Sequence, residues 1–343
     1  MDDLRVGILG LGFMGGMHAQ LFSRMPGVRV VAVADALPER REALAAELGA
    51  DAYESFEEIL GREDIDAVSI CLPDAAHRVP TVMAAERGKH ILLEKPIATT
   101  LEDAAAIAEA VERSGVVAML GFLLRYEPRY ASVKAALEDG TIGDIVHLYT
   151  RRNSPRSHGP RRYGRAGNLT YHVVVHDLDL LHWYSRAPVE RVYAERARRL
   201  LTDLGIDDSI FATLRFADGS IACLEYSWVL PETSPTAIDA KLEVVGTRSA
   251  AYVDLADQGL TLVGPGGTTF ADVSHWPSIL GSLGGALKAE LEAFVRCARG
   301  AEQPRAGVAE GIAALRVATA IERSLDEQRV VNMNEIPEGG KGD

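Results

Sequence analysis

The feature that most constrains this chain is its opening. A strand-like run, LRVGILG, leads directly into GLGFMGGMH. Gly10, Gly12 and Gly15 stand there in G-x-G-x-x-G spacing. The spacing alone is common, but a strand before it and a helix after it are the context a dinucleotide-binding turn requires. Gly10 permits the tight turn, Gly12 lets the backbone approach a pyrophosphate, and Gly15 allows close helix–strand packing. The helix that starts there presents free N–H groups and a partial positive charge to phosphates. Asp35 ends the second apolar run, where a carboxylate accepts hydrogen bonds from ribose hydroxyls. A 2′-phosphate would meet that charge, and Ala36 and Leu37 follow instead of a serine and an arginine. NAD is therefore expected over NADP, with Arg40 and Arg41 a turn further on as the residues that would soften the preference.

The same rhythm continues. VRVVAVAD, DAVSICLP, HILLEKP and VVAMLGF read as buried strands, and PERREALAAELG, HRVPTVMAAERG and LEDAAAIAEAVERSG as the helices among them. Strand–helix alternation of this kind implies a parallel sheet covered by helices on both faces. After about Gly121 the pattern changes. PRYASVKAALEDG reads as a helix, and three long runs rich in β-formers follow with short turns, FADGS marking a hairpin. Two domains are expected, residues 1–121 and 122–343, the second with an antiparallel or mixed sheet.

A length of 343 residues suits two domains, and 47% hydrophobic residues are enough for two cores. The net charge of −13 argues against nucleic acid and anionic membrane surfaces as partners. The one basic run, RRNSPRSHGPRR, reads as a solvated loop or as an arginine-lined wall beside a polar substrate. No apolar run approaches the roughly 20 residues that cross a bilayer. The acidic start MDDLRVGILG enters a strand at once, so no signal peptide is expected. Cys71, Cys223 and Cys297 are far apart and suggest neither a disulfide framework nor a thiolate zinc site. A reducing cytoplasm is the expected compartment.

Two segments carry candidate chemistry. Glu94, Lys95 and Pro96 stand at the carboxyl end of a strand, the edge where open α/β sheets bind ligands. A lysine there either pairs with a carboxylate or orients a substrate hydroxyl. The second segment is YHVVVHDLDLLHW, residues 171–183. His172, His176 and Asp179 would share one helical face, so a zinc site is conceivable. No glutamate lies between the histidines as in H-E-x-x-H, and a lysine and a histidine move a proton without a metal, so none is expected. Asp177, Asp179 and His182 are read as capping or packing groups, and Trp183 and Tyr184 as core.

With these residues in view, the chain resembles the Gfo/Idh/MocA oxidoreductases over nearly its whole length. GILGLGFMG is similar to that family's dinucleotide loop, and CLPDAAHRVPTVMAAERGKHILLEKPIATT to its most specific segment. The resemblance implies an α/β Rossmann domain plus an α+β C-terminal domain with a large, mostly antiparallel open sheet. It implies cofactor contacts from Gly10, Gly12, Phe13, Met14, Gly15, Asp35, Leu72, Pro73, His77, Glu94 and Lys95. His176 matches the family's catalytic histidine, with Lys95 assisting, and a secondary hydroxyl of a sugar or cyclic polyol is the expected substrate. His172 stands where the family usually carries aspartate, so it either shares the proton relay or binds substrate. Arg125, Arg152 and Tyr163 join Lys95, His172 and His176 as expected substrate contacts. One face of the open sheet is expected to build a homodimer or homotetramer. Two other readings stay open: a non-redox enzyme using transient oxidation by NAD, and a sensor of NAD or sugar.

Overall fold

The computed structural model describes residues 3–157, 159–160 and 167–338. The chain divides into two compact units. The first holds everything described up to Tyr126 together with Trp276–Ile312 and Glu338; the second holds what is described of Glu127–His275 and Ala313–Pro337.

In chain order the first unit runs β1 (Leu4–Leu9), α1 (Phe13–Phe22), β2 (Val28–Ala34), α2 (Pro38–Leu48), β3 (Asp51–Tyr53), α3 (Phe56–Leu60), β4 (Ala67–Ile70), α4 (Arg78–Glu86), β5 (His90–Leu93), α5 (Leu101–Ser114) and β6 (Ala118–Leu120). The six strands are parallel, in the order β3-β2-β1-β4-β5-β6. The strand order reverses between β1 and β4, and that is where an open α/β sheet leaves a crevice for its ligand. Helix ends follow from local chemistry. Pro38 begins α2, and Gly49 ends it in the left-handed region at φ 65°. The Thr100 side chain accepts the Asp103 N–H at the start of α5. β3 and α3 were not expected from the sequence. β3 has three residues, none of them buried, so it carries no apolar run to read.

The sequence reading also placed the whole chain after residue 121 in the second domain. The structure instead returns Trp276–Ile312 to the first unit. Helix Gly285–Ala298 sets Phe294 edge-on to Phe22 of α1, ring centres 6.2 Å apart. The Leu120 N–H at the end of β6 donates to Ala306 O at 3.0 Å. An apolar helix face does not state which sheet it covers, so this return is a tertiary choice.

The second unit begins with α6 (Pro128–Glu138) and β7 (Ile145–Pro155), continues through α7 (Val175–Tyr184) and β8 (Val189–Ala197), and then forms β9 (Ser209–Phe216), β10 (Ile221–Leu230), β11 (Asp239–Gly246) and β12 (Ala250–Asp254). With the short strand Val331–Asn332 beside β8, they make one seven-stranded sheet, β12-β11-β7-β10-β9-β8 in order. All neighbours are antiparallel except β7 and β10 at its centre. The expected turn joins β9 to β10, with Gly219 at φ 92° and Asp218 Oδ1 accepting the Ser220 N–H. Along β10, Ala222, Leu224, Tyr226 and Trp228 are buried while the residues between them are not, the period-2 pattern of a one-sided sheet. No described helix is long and apolar enough to cross a membrane.

Candidate active site

The dinucleotide turn is built as its glycines demand. Gly10 has φ 86°, and a Cβ there would stand 2.7 Å from Cys71 O. A Cβ on Gly15 would lie 1.8 Å from Gly10 O, so only glycine lets α1 sit this close to the end of β1. Gly12 differs: a Cβ there meets nothing within 4 Å. The first turn of α1 has no side-chain cap and no acidic residue. Its N–H groups, beside open space, are a cradle that a pyrophosphate fits. Phe13 is exposed, with its ring edge-on to Trp276, and Met14 is half-buried.

Asp35 is held on both oxygens. Oδ2 accepts the Leu11 N–H at 2.7 Å and Oδ1 the Leu37 N–H at 2.9 Å. The carboxylate therefore ties the glycine turn to the loop after β2, and Arg40 Nη1 stands 3.9 Å away. Arg41 donates to the carbonyls of Asp35 and Ala36. The position suits a ribose, and its fixed negative charge opposes a 2′-phosphate.

At the ends of β4 and β5 the expected residues come together. Leu72 is half-buried and Pro73 exposed, as residues lining a cofactor crevice would be. His77 is fully buried instead: its ring bridges Leu72 O at 2.9 Å and Pro96 O at 2.8 Å. It locks the turn after β4 to the turn after β5 and offers no open edge to a ligand. Glu94 is buried and its Oε2 accepts the Lys95 N–H at 3.3 Å; Lys95 is half-exposed and its peptide with Pro96 is cis.

In the second unit, YHVVVHDLDLLHW forms a π-helical turn, Thr170–Val174, that passes into α7. The π-turn widens the helix at His172. His172 and His176 are half-exposed, while Asp177 and Asp179 are buried. The helix thus sorts its ionisable groups, histidines outward and aspartates inward. His172 Nδ1 meets Asn168 on both of its backbone groups, 2.8 Å from the O and 3.2 Å from the N–H, which ties the ring to the start of the π-turn. Its ring tilts against Trp228, centres 6.2 Å apart. Gly159 packs on the same indole, where a Cβ would come within 2.4 Å. Sequence reasoning missed Trp228 and Gly159, because nothing local in β10 or the basic loop marks either one.

The remaining expected substrate residues are placed differently from one another. Arg152 is buried and forms a two-pronged pair with Asp177, Nε–Oδ2 2.8 Å and Nη2–Oδ1 3.2 Å. Burial opposes its charge, but the Asp177 carboxylate outweighs that and holds the guanidinium further above its ordinary value. Tyr130, beside the pair, is pushed up to about 12 by burial. Arg152 thus positions α7 against β7. Arg125 is also buried, and its Nη1 donates to Arg305 O within the first unit. Tyr163 lies outside the described residues. His182 Nδ1 contacts Leu178 O at 2.8 Å within its own helix. Among the described residues no group of three or more His, Cys, Asp or Glu is arranged to hold a metal ion.

Comparison with known proteins follows the same lines. The model of the oxidoreductase family with an NAD-binding Rossmann fold, GFO_IDH_MocA, matches residues 4–122, and its C-terminal domain model matches residues 130–252. The NAD(+)-dependent scyllo-inositol 2-dehydrogenase of Bacillus subtilis is 30% identical over 309 residues, covering 88% of each chain. The 2,7-anhydro-N-acetylneuraminate hydratase of Mediterraneibacter gnavus is 27% identical over 76% of this chain and 70% of its own. The crystal structure of a myo-inositol dehydrogenase from Corynebacterium glutamicum is 26% identical, with a TM-score of 0.81 over 96% of this chain and 98% of its own. The chain is an NAD-dependent oxidoreductase and belongs to the Gfo/Idh/MocA family.

Proposed function

We propose that this enzyme oxidises a secondary hydroxyl of a cyclic polyol of the inositol class, with NAD as oxidant. The observation that carries the reading is the sorting of the π-turn and α7, which leaves His172 and His176 half-exposed and buries Asp177 and Asp179. Inositol dehydrogenases among the relatives support the substrate class. NAD would be held by Gly10, Gly12, Gly15, Asp35 and the α1 N-terminus. When bound, it supplies the acceptor for the electron pair of the C–H bond.

The chain's own residues handle the proton. The Lys95 ammonium binds the substrate oxygen and favours its deprotonation. His176 takes the proton, since an imidazole titrates in the range where it can both accept and release one. His172, its Nδ1 held by the Asn168 backbone and its ring tilted against Trp228, contacts a second hydroxyl and acts mainly in substrate binding. A ring of hydroxyls is the kind of substrate that several such donors and acceptors distinguish.

The test is a panel of inositol isomers, aldoses, sugar acids, glycosides and anhydro-sugars, each with NAD and with NADP, followed by absorbance of the reduced cofactor and by chromatography of the substrate. Turnover of an inositol with NAD is the expected result. Turnover of none of them, with NAD recovered unchanged while a glycoside or anhydro-sugar is consumed, would favour the non-redox reading that the hydratase relative represents.

We also propose a homo-oligomer formed through the outward face of the seven-stranded sheet, and a cytoplasmic location. Tyr193, Phe211, Ile221 and Tyr252 are exposed on β8, β9, β10 and β12. Light scattering of wild type and of Phe211→Glu compares the two masses; an unchanged mass would place the contact elsewhere.

A further inference from the structure

Among the buried ionisable groups that the mechanism leaves unused is His18 on α1. Its ring is fully buried. Nδ1 lies 2.8 Å from Ser69 Oγ and 3.5 Å from Cys71 Sγ on the β4 side. Nε2 faces Glu94 Oε1 at 3.4 Å. At that separation the contact is an ion pair more than a well-formed hydrogen bond, and neither atom has another hydrogen-bond partner among the described residues. A buried carboxylate oxygen facing a buried ring nitrogen is costly unless a proton lies between them, and a buried carboxylate is held best where its partner is a cation. Gly121 leaves the room: a Cβ there would stand 3.1 Å from Glu94 Oε1. On its other oxygen, Glu94 accepts the Lys95 N–H.

We propose that His18 is a positioning residue for Lys95: a buried imidazolium that keeps Glu94 a carboxylate and so fixes the turn carrying the catalytic lysine. The proposal rests on the reading of Lys95 given above. The groups facing the pair are Ser69 from β4 and Cys71 just after it, His77 and Lys95 beside Glu94, and the Phe22 ring edge-on to His18. Burial pulls the imidazole down, but the Cys71 sulfur and the Glu94 carboxylate outweigh it and hold His18 well above an ordinary histidine. Burial likewise pushes Glu94 up, and His18, Lys95 and His77 outweigh it and hold the carboxyl below its ordinary value. Without His18 the carboxylate would lose the ring that faces Oε1 at 3.4 Å. The turn would loosen, and the negative charge beside Lys95 would weaken. A displacement of about 1 Å at a reacting group is enough to slow chemistry by up to roughly 100-fold.

The experiment uses wild type, His18→Gln, Glu94→Gln and the double variant. Ring-nitrogen chemical shifts of histidine-labelled protein report the charge of His18 directly, with His18→Gln supplying the assignment. The expected result is an imidazolium at pH 8 in wild type and a neutral ring in Glu94→Gln. His18→Gln should lower kcat about 10- to 100-fold, with the Kd for NAD, measured by calorimetry, changed less than about threefold. The double variant should be no slower than Glu94→Gln alone, because the two side chains act as one pair. A neutral His18 in wild type at pH 7 would overturn the proposal. So would His18→Gln with wild-type kcat, or with lower thermal stability as its only change. If Lys95→Met itself turns over normally while the shifts still show the charged pair, the assignment of Lys95 fails and the pair stands as structural.

Discussion

Gly12 and Gly15 sit in one motif, yet the structure predicts different consequences for an added methyl group. In Gly15→Ala the new Cβ would lie 1.8 Å from Gly10 O, where ordinary contact begins at 3.4 Å, a shortfall of about 1.6 Å against backbone. Overpacking costs typically 1–3 kcal/mol, and the upper end applies where a strand end and a helix must move apart. A loss of about 3 kcal/mol lowers the melting temperature by roughly 6–12 °C. In Gly12→Ala the Cβ meets nothing within 4 Å, and the residue already has φ −68°. The expected cost without cofactor is that of a poorer helix cap, at most about 1 kcal/mol. The methyl group occupies the space that the pyrophosphate approaches, so the Kd for NAD should rise at least about tenfold, equivalent to 1.4 kcal/mol. The assay is thermal unfolding of both variants and wild type, each without NAD and with NAD titrated to saturation. Wild type should gain about 2.7 kcal/mol of stability at 100 times its Kd. Gly15→Ala should start low, and Gly12→Ala should start near wild type and gain much less from the same concentration. Equal melting temperatures for the two variants without NAD would refute the packing argument for Gly15, and normal NAD binding by Gly12→Ala would refute the placement of the cofactor on this turn.

Asp35→Ser combined with Leu37→Arg should weaken NAD and improve NADP, because a repulsive carboxylate is exchanged for a phosphate partner; wild type preferring NADP in kcat/KM would contradict the role given to Asp35. Lys95→Met should fold and bind NAD but turn over about 10²–10⁴-fold more slowly. His176→Ala should remove most activity and flatten the rise of oxidation rate with pH, while His172→Ala should act mainly on KM; equal loss in both, with the wild-type pH profile kept by His176→Ala, would reassign the base. Asp177→Ala should strand the buried Arg152 guanidinium and cost about 3–5 kcal/mol, and Arg152→Met with Asp177→Leu should recover part of it; full stability of the single variant would show that the pair does not hold α7. The His18–Glu94 pair gives a signed pH dependence. Glu94 is held below its ordinary value and His18 above, so the pair's contribution is complete between about 4.5 and 6.5. It fades as pH falls through the folded value of Glu94 and as pH rises through that of His18, and melting temperature against pH for wild type and Glu94→Gln reads both edges.

Much of this protein was legible in the chain because the deciding physics is local. A strand, three glycines at fixed spacing, a helix and an acidic residue after the next strand define a dinucleotide turn wherever they occur, since backbone conformation and helix N–H groups do the binding. The alternation of apolar strands and helices up to Gly121 determined a parallel sheet for the same reason: each element carries its own period. The second half showed its turns and its one-sided strands.

What the sequence left open depends on distance in the chain. The return of Trp276–Ile312 to the first unit is decided by which apolar face covers which, and no local pattern records that. The pairing of β7 with β10 as the one parallel contact in the seven-stranded sheet is decided by chain crossing, not by composition. Roles within the candidate site were redistributed in the same way. Arg152 and His77 have the chemistry of ligand-binding residues, but one is engaged by Asp177 and the other by two carbonyls. Nothing local marks His18, and only the fold brings Glu94, 76 positions away in the numbering, within 3.4 Å of it. A side chain's type is written in the sequence; its charge and its role are set by the partners that burial forces on it, and those partners are known only once the chain has folded.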